Sequence, residues 1–109
     1  MKPVSFLGNS LEVIRSFPAG ARRAIGFQIE RVQRGLDPDD WKPMKTVGPS
    51  VREIRVRDTR GAYRVIYVAT FSDAVYVLHS FQKKSQATAR RDLDLAEVRF
   101  RELMRSNRS

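Results

Sequence analysis

Between Val51 and Phe81 the chain alternates with a period of two, in three runs separated only by short turns. No other feature constrains the fold so tightly. In the first run, Val51 to Arg57, the residues Arg52, Ile54 and Val56 alternate with Val51, Glu53, Arg55 and Arg57. Successive side chains of a strand point to opposite faces, so these two sets belong to two sides of a sheet. Asp58-Thr59-Arg60-Gly61 reads as a turn, Ala62 to Phe71 as a second strand, Ser72-Asp73 as another turn, and Ala74 to Phe81 as a third strand. Consecutive strands joined this tightly form an antiparallel meander.

Around the meander the period is helical. Val4 to Leu7 is a short candidate strand ended by Gly8-Asn9, and Ser10 is placed to cap a short helix that stops near Phe17-Pro18. From Ala19 to Arg34, with Leu36 just beyond, Ala21, Ile25, Ile29, Val32 and Leu36 recur at intervals of three and four, and Gly35 suits a left-handed cap. Residues 37–50 hold three of the five prolines and read as a loop, with Trp41 anchored on the core. Thr88 is placed to cap a closing helix with the stripe Leu93, Ala96, Phe100 and Leu103, leaving Arg90, Arg91, Arg99, Arg101 and Arg105 off it. The expected fold is α+β in one domain over residues 1–109. A small antiparallel sheet, the meander plus the candidate N-terminal strand, carries two N-terminal helices and a C-terminal helix on one face.

Charge narrows the partners. Lys and Arg number 21 against 12 Asp and Glu, for a formal charge of +9, and 16 of the 21 are Arg. Arg grips phosphate bidentately and stacks on bases, which suits nucleic acid. The chain has no Cys, which excludes a disulfide scaffold, a thiol nucleophile and a Cys-ligated zinc site. Its longest apolar runs, Val65 to Ala69 and Ala74 to Leu78, are far shorter than the roughly 20 residues of a membrane span. A cytoplasmic location with no membrane partner is expected.

The chemistry-bearing residues gather on the meander. Glu53, Arg55 and Arg57 share one side of the first strand, opposite Ile54 and Val56. A solvated face with cross-strand ion pairs would explain them alone. Arg64, however, interrupts the apolar run Tyr63 to Val68, where it must either pair with Glu53 or face a charged ligand. The third strand ends His79-Ser80-Phe81-Gln82-Lys83-Lys84. Cationic neighbours should keep the single His neutral and able to accept a proton. No Asp, Glu and His lie at ligand spacing, so neither a metal nor another cofactor is expected. An Arg-lined face with one carboxylate and one imidazole suits metal-free RNA cleavage. A base takes the 2′-hydroxyl proton, the oxygen attacks the adjacent phosphate, and Arg and Lys hold the developing charge.

The order of elements and the stretches Val-Arg-Glu-Ile-Arg-Val-Arg, Ala-Tyr-Arg-Val-Ile-Tyr-Val-Ala and Val-Tyr-Val-Leu-His-Ser-Phe-Gln-Lys-Lys-Ser-Gln resemble the RelE/ParE toxin superfamily, and within it the HigB-like, phage-derived branch. The resemblance covers nearly the whole chain, with its specific part at residues 51–99. It implies a microbial-RNase-like fold, cleavage of ribosome-bound mRNA, and neutralisation by a cognate antitoxin, expected to be a helix-turn-helix protein with an acidic patch or segment. Through it, Arg55, Arg57 and Arg64 match positions bordering the scissile phosphate, and Lys83 or Lys84 matches the basic residue after the last strand. Glu53 and His79 follow the HigB-like branch, and with Arg55, Arg64, Lys83 and Lys84 they form the expected catalytic set. Arg52, Arg57, Arg60, Arg90 and Arg91 are the expected nucleic-acid contacts. Where RelE-like members carry a Tyr near the closing helix this chain reads Gln86-Ala87-Thr88-Ala89-Arg90, which leaves the acid and base assignments open. Two alternatives share the fold: a ParE-like inhibitor of DNA gyrase, and a non-catalytic phage accessory protein that binds RNA.

Overall fold

A computed structural model describes residues 1–107. The meander forms as its alternation dictates, with β3 (Val51–Asp58), β4 (Gly61–Val68) and β5 (Val75–Lys83) at the centre of a five-stranded sheet. The strand order is β1-β5-β4-β3-β2, where β1 is Val4–Phe6 and β2 is Trp41–Pro43. Two points correct the sequence reading. The N-terminal strand pairs parallel to β5, so the sheet is mixed rather than antiparallel. The expected loop contains β2, paired with β3 through Trp41↔Ile54, Lys42↔Glu53 and Pro43↔Arg52. Its proline and brevity hide it locally, but an edge strand tolerates a residue that donates nothing to the ladder. Trp41 lies at this edge rather than in the core, with the Arg52 guanidinium 3.9 Å above its ring.

Helices cover both faces of the sheet, not one. On the first face α1 (Ser10–Arg15) and α2 (Ala19–Gln33) bury Ile14, Ala21, Ile25, Ile29 and Val32 against Ile54, Val56, Tyr63, Val65, Tyr67, Val75 and Val77. The apolar spacing of α2 aims one stripe at the sheet, and the helix ends at Gly35 with φ 85°, where the Leu36 N–H bonds the Arg31 carbonyl at 2.9 Å. Leu36, expected in the stripe, lies past this reversal and is exposed. On the second face α3 (Arg90–Ser106) buries Ala96 and Leu103 with Met44, Val47, Val51, Ile66, Val68, Leu78 and Phe81. Burial of β4 on both faces explains its unbroken apolar run. The caps expected at Ser10 and Thr88 do not form: Asn9 and Ala89 hold the cap positions without side-chain capping bonds, and the Ser10 hydroxyl donates to the Val77 carbonyl at 3.5 Å.

The pairing of β4 with β5 contains one irregularity. Tyr67 pairs with Val77 and Ile66 with His79, which leaves Leu78 as an extra residue, a β-bulge. Cross-strand partners share a face, so the alternation of β5 shifts by one beyond this point. Val75 and Val77 face α2, whereas His79, Phe81 and Lys83 turn to the other side with their partners Ile66, Arg64 and Ala62. The long 43–50 connection packs over α3, and a Cβ at Gly48 would collide with the Phe100 ring. Gly48→Ala should therefore cost about 1–3 kcal/mol by overpacking. A lowered urea midpoint at unchanged slope would show it; an unchanged midpoint would mean that Phe100 moves aside freely.

Candidate nucleic-acid interface

The bulge assembles a row of cations that plain alternation would have split between the faces. On the α3 side of the sheet, Arg55 and Arg64 are direct cross-strand partners, and Arg57 pairs with Ala62, which pairs in turn with Lys83. Ala62 is small, so the row Arg57–Ala62–Lys83 has a low centre between two cationic walls. Helix α3 and the 43–50 connection cover this face from Val51 and Val68 to Phe81, and the end that carries Arg55, Arg57, Ala62 and Lys83 stays open. There a cavity of about 510 Å³ is lined by Arg55, Arg57, Ala62, Arg64, Lys83, Lys84, Ser85 and Gln86, with no carboxylate among them.

Like charges directly opposite each other in a sheet repel. Ion pairing does not relieve that repulsion. Among the described residues no carboxylate lies within 4.0 Å of Arg55, Arg57, Lys83 or Lys84, whereas Arg31, Arg34, Arg52 and Arg90 each have one. Only Arg64 is compensated. It is 3 % exposed, with Nε 3.5 Å from Oε1 of a fully buried Glu53 and Nη1 donating to the Tyr63 carbonyl at 3.1 Å. Burial pulls Arg64 below the usual guanidinium range, opposed by Glu53 and assisted by Arg55 and Arg57. Burial also pushes Lys83 below the usual lysine range, and Arg64 adds to the effect. Lys42 reaches the same Glu53 oxygen at 3.9 Å from β2, so it belongs to this cluster, which sequence reasoning missed. Its register opposite Glu53 is visible only once β2 is known to be a strand.

The structure keeps several expected site residues apart from the cavity. Glu53 lies beneath it as the counter-ion of Arg64 and is wholly shielded from solvent. His79 is buried under α3 with both ring nitrogens engaged. Arg99 Nη1 donates to His79 Nδ1 at 3.2 Å and to the Leu78 carbonyl at 2.9 Å, and Nη2 donates to Asn9 Oδ1 at 3.0 Å. Arginine cannot accept, so Nδ1 is the acceptor and the proton sits on Nε2, which donates to Asp92 at 2.7 Å. Arg52 faces the opposite side of the sheet, paired with Asp37 at 2.8 Å. Arg60 occupies the turn after β3, its backbone N–H bonded to Asp58. Arg90 pairs with Asp94 within α3, and Arg91 is exposed on the same first turn.

Asp92 and Arg99, neither assigned a role from sequence, hold the bulge. Their signal was present: residues 92, 96, 99 and 103 follow helical spacing, so both belong to the stripe of Ala96 and Leu103 rather than outside it. Two opposite charges seven residues apart on an apolar stripe mark a buried polar clamp.

The family model described as Phage derived protein Gp49-like (DUF891) matches residues 12–101, a span that includes β2 to β5 and most of α3. The chain belongs to this family. Gp49-like proteins are of the toxin-like RelE/HigB type, in accord with the α+β fold of this chain. No curated protein matches the chain at a significant level. No helix of this Gp49-like protein, among the described residues, is long and apolar enough to cross a membrane.

Burial holds His79 below its ordinary value of about 6.5, with Arg99 and Arg91 assisting and Asp92 opposing. The unfolded chain therefore binds more protons than the folded one below about pH 6.5, and stability falls as the pH drops through that value. Urea midpoints between pH 7 and 5 should decline more steeply for the native chain than for His79→Gln. Parallel declines would mean that His79 is not held neutral by its clamp.

Proposed function

We propose that this Gp49-like protein is the toxin of a type II toxin–antitoxin pair and acts as a metal-independent endoribonuclease on ribosome-bound mRNA. One observation supports this reading above the others: Arg55 and Arg64 stand directly opposite each other in an open cavity that contains Arg57, Lys83 and Lys84 and no carboxylate. A merely solvated face would place acids among such cations. A phosphate that gains charge in a transition state supplies the missing anion.

The roles follow from position. Arg55, Arg57 and Arg64 hold the non-bridging oxygens of the scissile phosphate. Lys83 shares the cavity with these guanidinium groups and takes the proton of the 2′-hydroxyl; burial and Arg64 both shift it in the direction a base requires. The 2′-oxygen then attacks phosphorus and the bond to the 5′-oxygen breaks; that oxygen takes a proton from water in the open cavity, giving a 2′,3′-cyclic phosphate and a 5′-hydroxyl end. Glu53 and His79 act indirectly, the first by orienting Arg64 and the second by fixing the bulge that turns Lys83 into the cavity. The antitoxin of such a chain carries an acidic segment, since opposite charge speeds its capture of a +9 protein.

Inducing the chain should stop translation within minutes and create 5′-hydroxyl ends inside coding regions. Arg64→Ala would leave Glu53 buried without its partner, at a cost of about 3–5 kcal/mol, so loss of toxicity there proves little. Arg55→Ala removes no ion pair and should fold normally while losing about 10²-fold in cleavage rate. Arrested growth with intact messages and relaxed plasmids would contradict the proposal and favour gyrase as target.

A further inference from the structure

A second cavity lies beside the first, across a single stretch of chain. Lys83 to Gln86 line the cationic cavity, and the next two residues, Ala87 and Thr88, line a cleft of about 440 Å³ together with Lys42, Pro43, Met44, Lys45, Thr46 and Leu93. Its lining combines Met44, which is buried, and Leu93, which is half-buried, with two lysines, Lys42 and Lys45, and two hydroxyl residues, Thr46 and Thr88. No carboxylate lines this cleft either. Lys42 joins the two cavities, because its Nζ approaches the same Glu53 oxygen as Arg64.

We infer that this cleft is a nucleotide subsite: it seats the base of the nucleotide just outside the pair that flanks the scissile phosphate in single-stranded RNA, with Lys45 on the phosphate that joins it to that pair. The inference rests on the reading of RNA as substrate and adds a second contact to it. A lining that mixes apolar, cationic and hydroxyl-bearing side chains matches a nucleotide, whose flat base is apolar on its faces and whose phosphate is anionic. A protein segment would need a carboxylate of its own to satisfy Lys45, since Lys42 already has Glu53. A nucleic-acid strand already carries the charge at every step.

The test compares two RNA probes made uncleavable by 2′-deoxy substitution, a dinucleotide with one phosphate and a tetranucleotide with three, by fluorescence anisotropy at low salt. Lys45→Ala should weaken the tetranucleotide about tenfold, as expected for loss of a charge-assisted contact, and lower its salt slope by about 0.7. It should leave the dinucleotide unchanged. Ala87→Leu, which fills the cleft without altering charge, should also weaken only the tetranucleotide. Arg55→Ala should weaken both probes, and Arg15→Ala, on α1, neither. If Arg55→Ala weakens both while Lys45→Ala and Ala87→Leu change nothing, the subsite is wrong and the cationic cavity stands. If the native chain binds neither probe, whether free or presented on a ribosome, the RNA reading fails and the subsite with it.

Discussion

The guanidinium of Arg99 gives the bulged Leu78 carbonyl a donor and, through the same nitrogen, fixes His79 as a neutral ring that donates to Asp92. The extra residue of a bulge drops out of the strand ladder and leaves backbone groups to be satisfied elsewhere. Arg99 supplies that satisfaction from α3 and also reaches Asn9, so one side chain ties helix, central sheet and the β1–α1 turn together. A Cβ at Gly8 would lie 2.5 Å from the guanidinium, which shows how closely the turn is pressed onto it. The face on which Lys83 emerges depends on this clamp. Without the bulge, alternation from Val77 would carry Lys83 to the side of α2, away from Arg64.

The second constraint is electrostatic. Arg64 is admitted to a strand buried on both faces because Glu53 lies beside it with its whole side chain shielded from water. Such a pair contributes little net stability, since desolvation offsets the attraction. What it supplies is position: a guanidinium held by Glu53 and by the Tyr63 carbonyl has little freedom to turn away from its neighbour Arg55. Among the described residues Glu53 is the one carboxylate paired with this group of Arg55, Arg57, Arg64 and Lys83, and a bound anion would relieve the repulsion that remains. Sites prepared in advance for developing charge are the ones that stabilise a transition state most.

Much of this was legible in the chain alone. The meander, the two N-terminal helices, the closing helix and the side of β3 that carries Glu53, Arg55 and Arg57 follow from periods of two and of three to four. Arg64 could be singled out because a charge in an apolar strand requires a reason. The rest depended on non-local pairing. A bulge leaves no mark on a sequence whose residues all suit a strand, so Lys83 could be placed near Arg64 only through a family resemblance. Trp41 to Pro43 form a strand because β3 offers them an edge, not because their own propensities demand it. Arg99 was set outside the helix stripe because a charge was not expected within it. His79 drew attention as a titratable group, yet its two engaged nitrogens make it a structural member of the clamp.

The central claim is that Arg64 and Lys83 act on one phosphate because the bulge brings them to one face. A double-mutant cycle on cleavage of ribosome-bound mRNA tests it most directly, using Arg64→Lys, which keeps the buried charge, and Lys83→Ala. The account predicts strong coupling, with the double variant about tenfold or more faster than the product of the single losses would allow. The same cycle between Arg64 and Arg52, on the opposite face, should be additive. Additive losses for Arg64 and Lys83, or equal coupling in both cycles, would contradict the account.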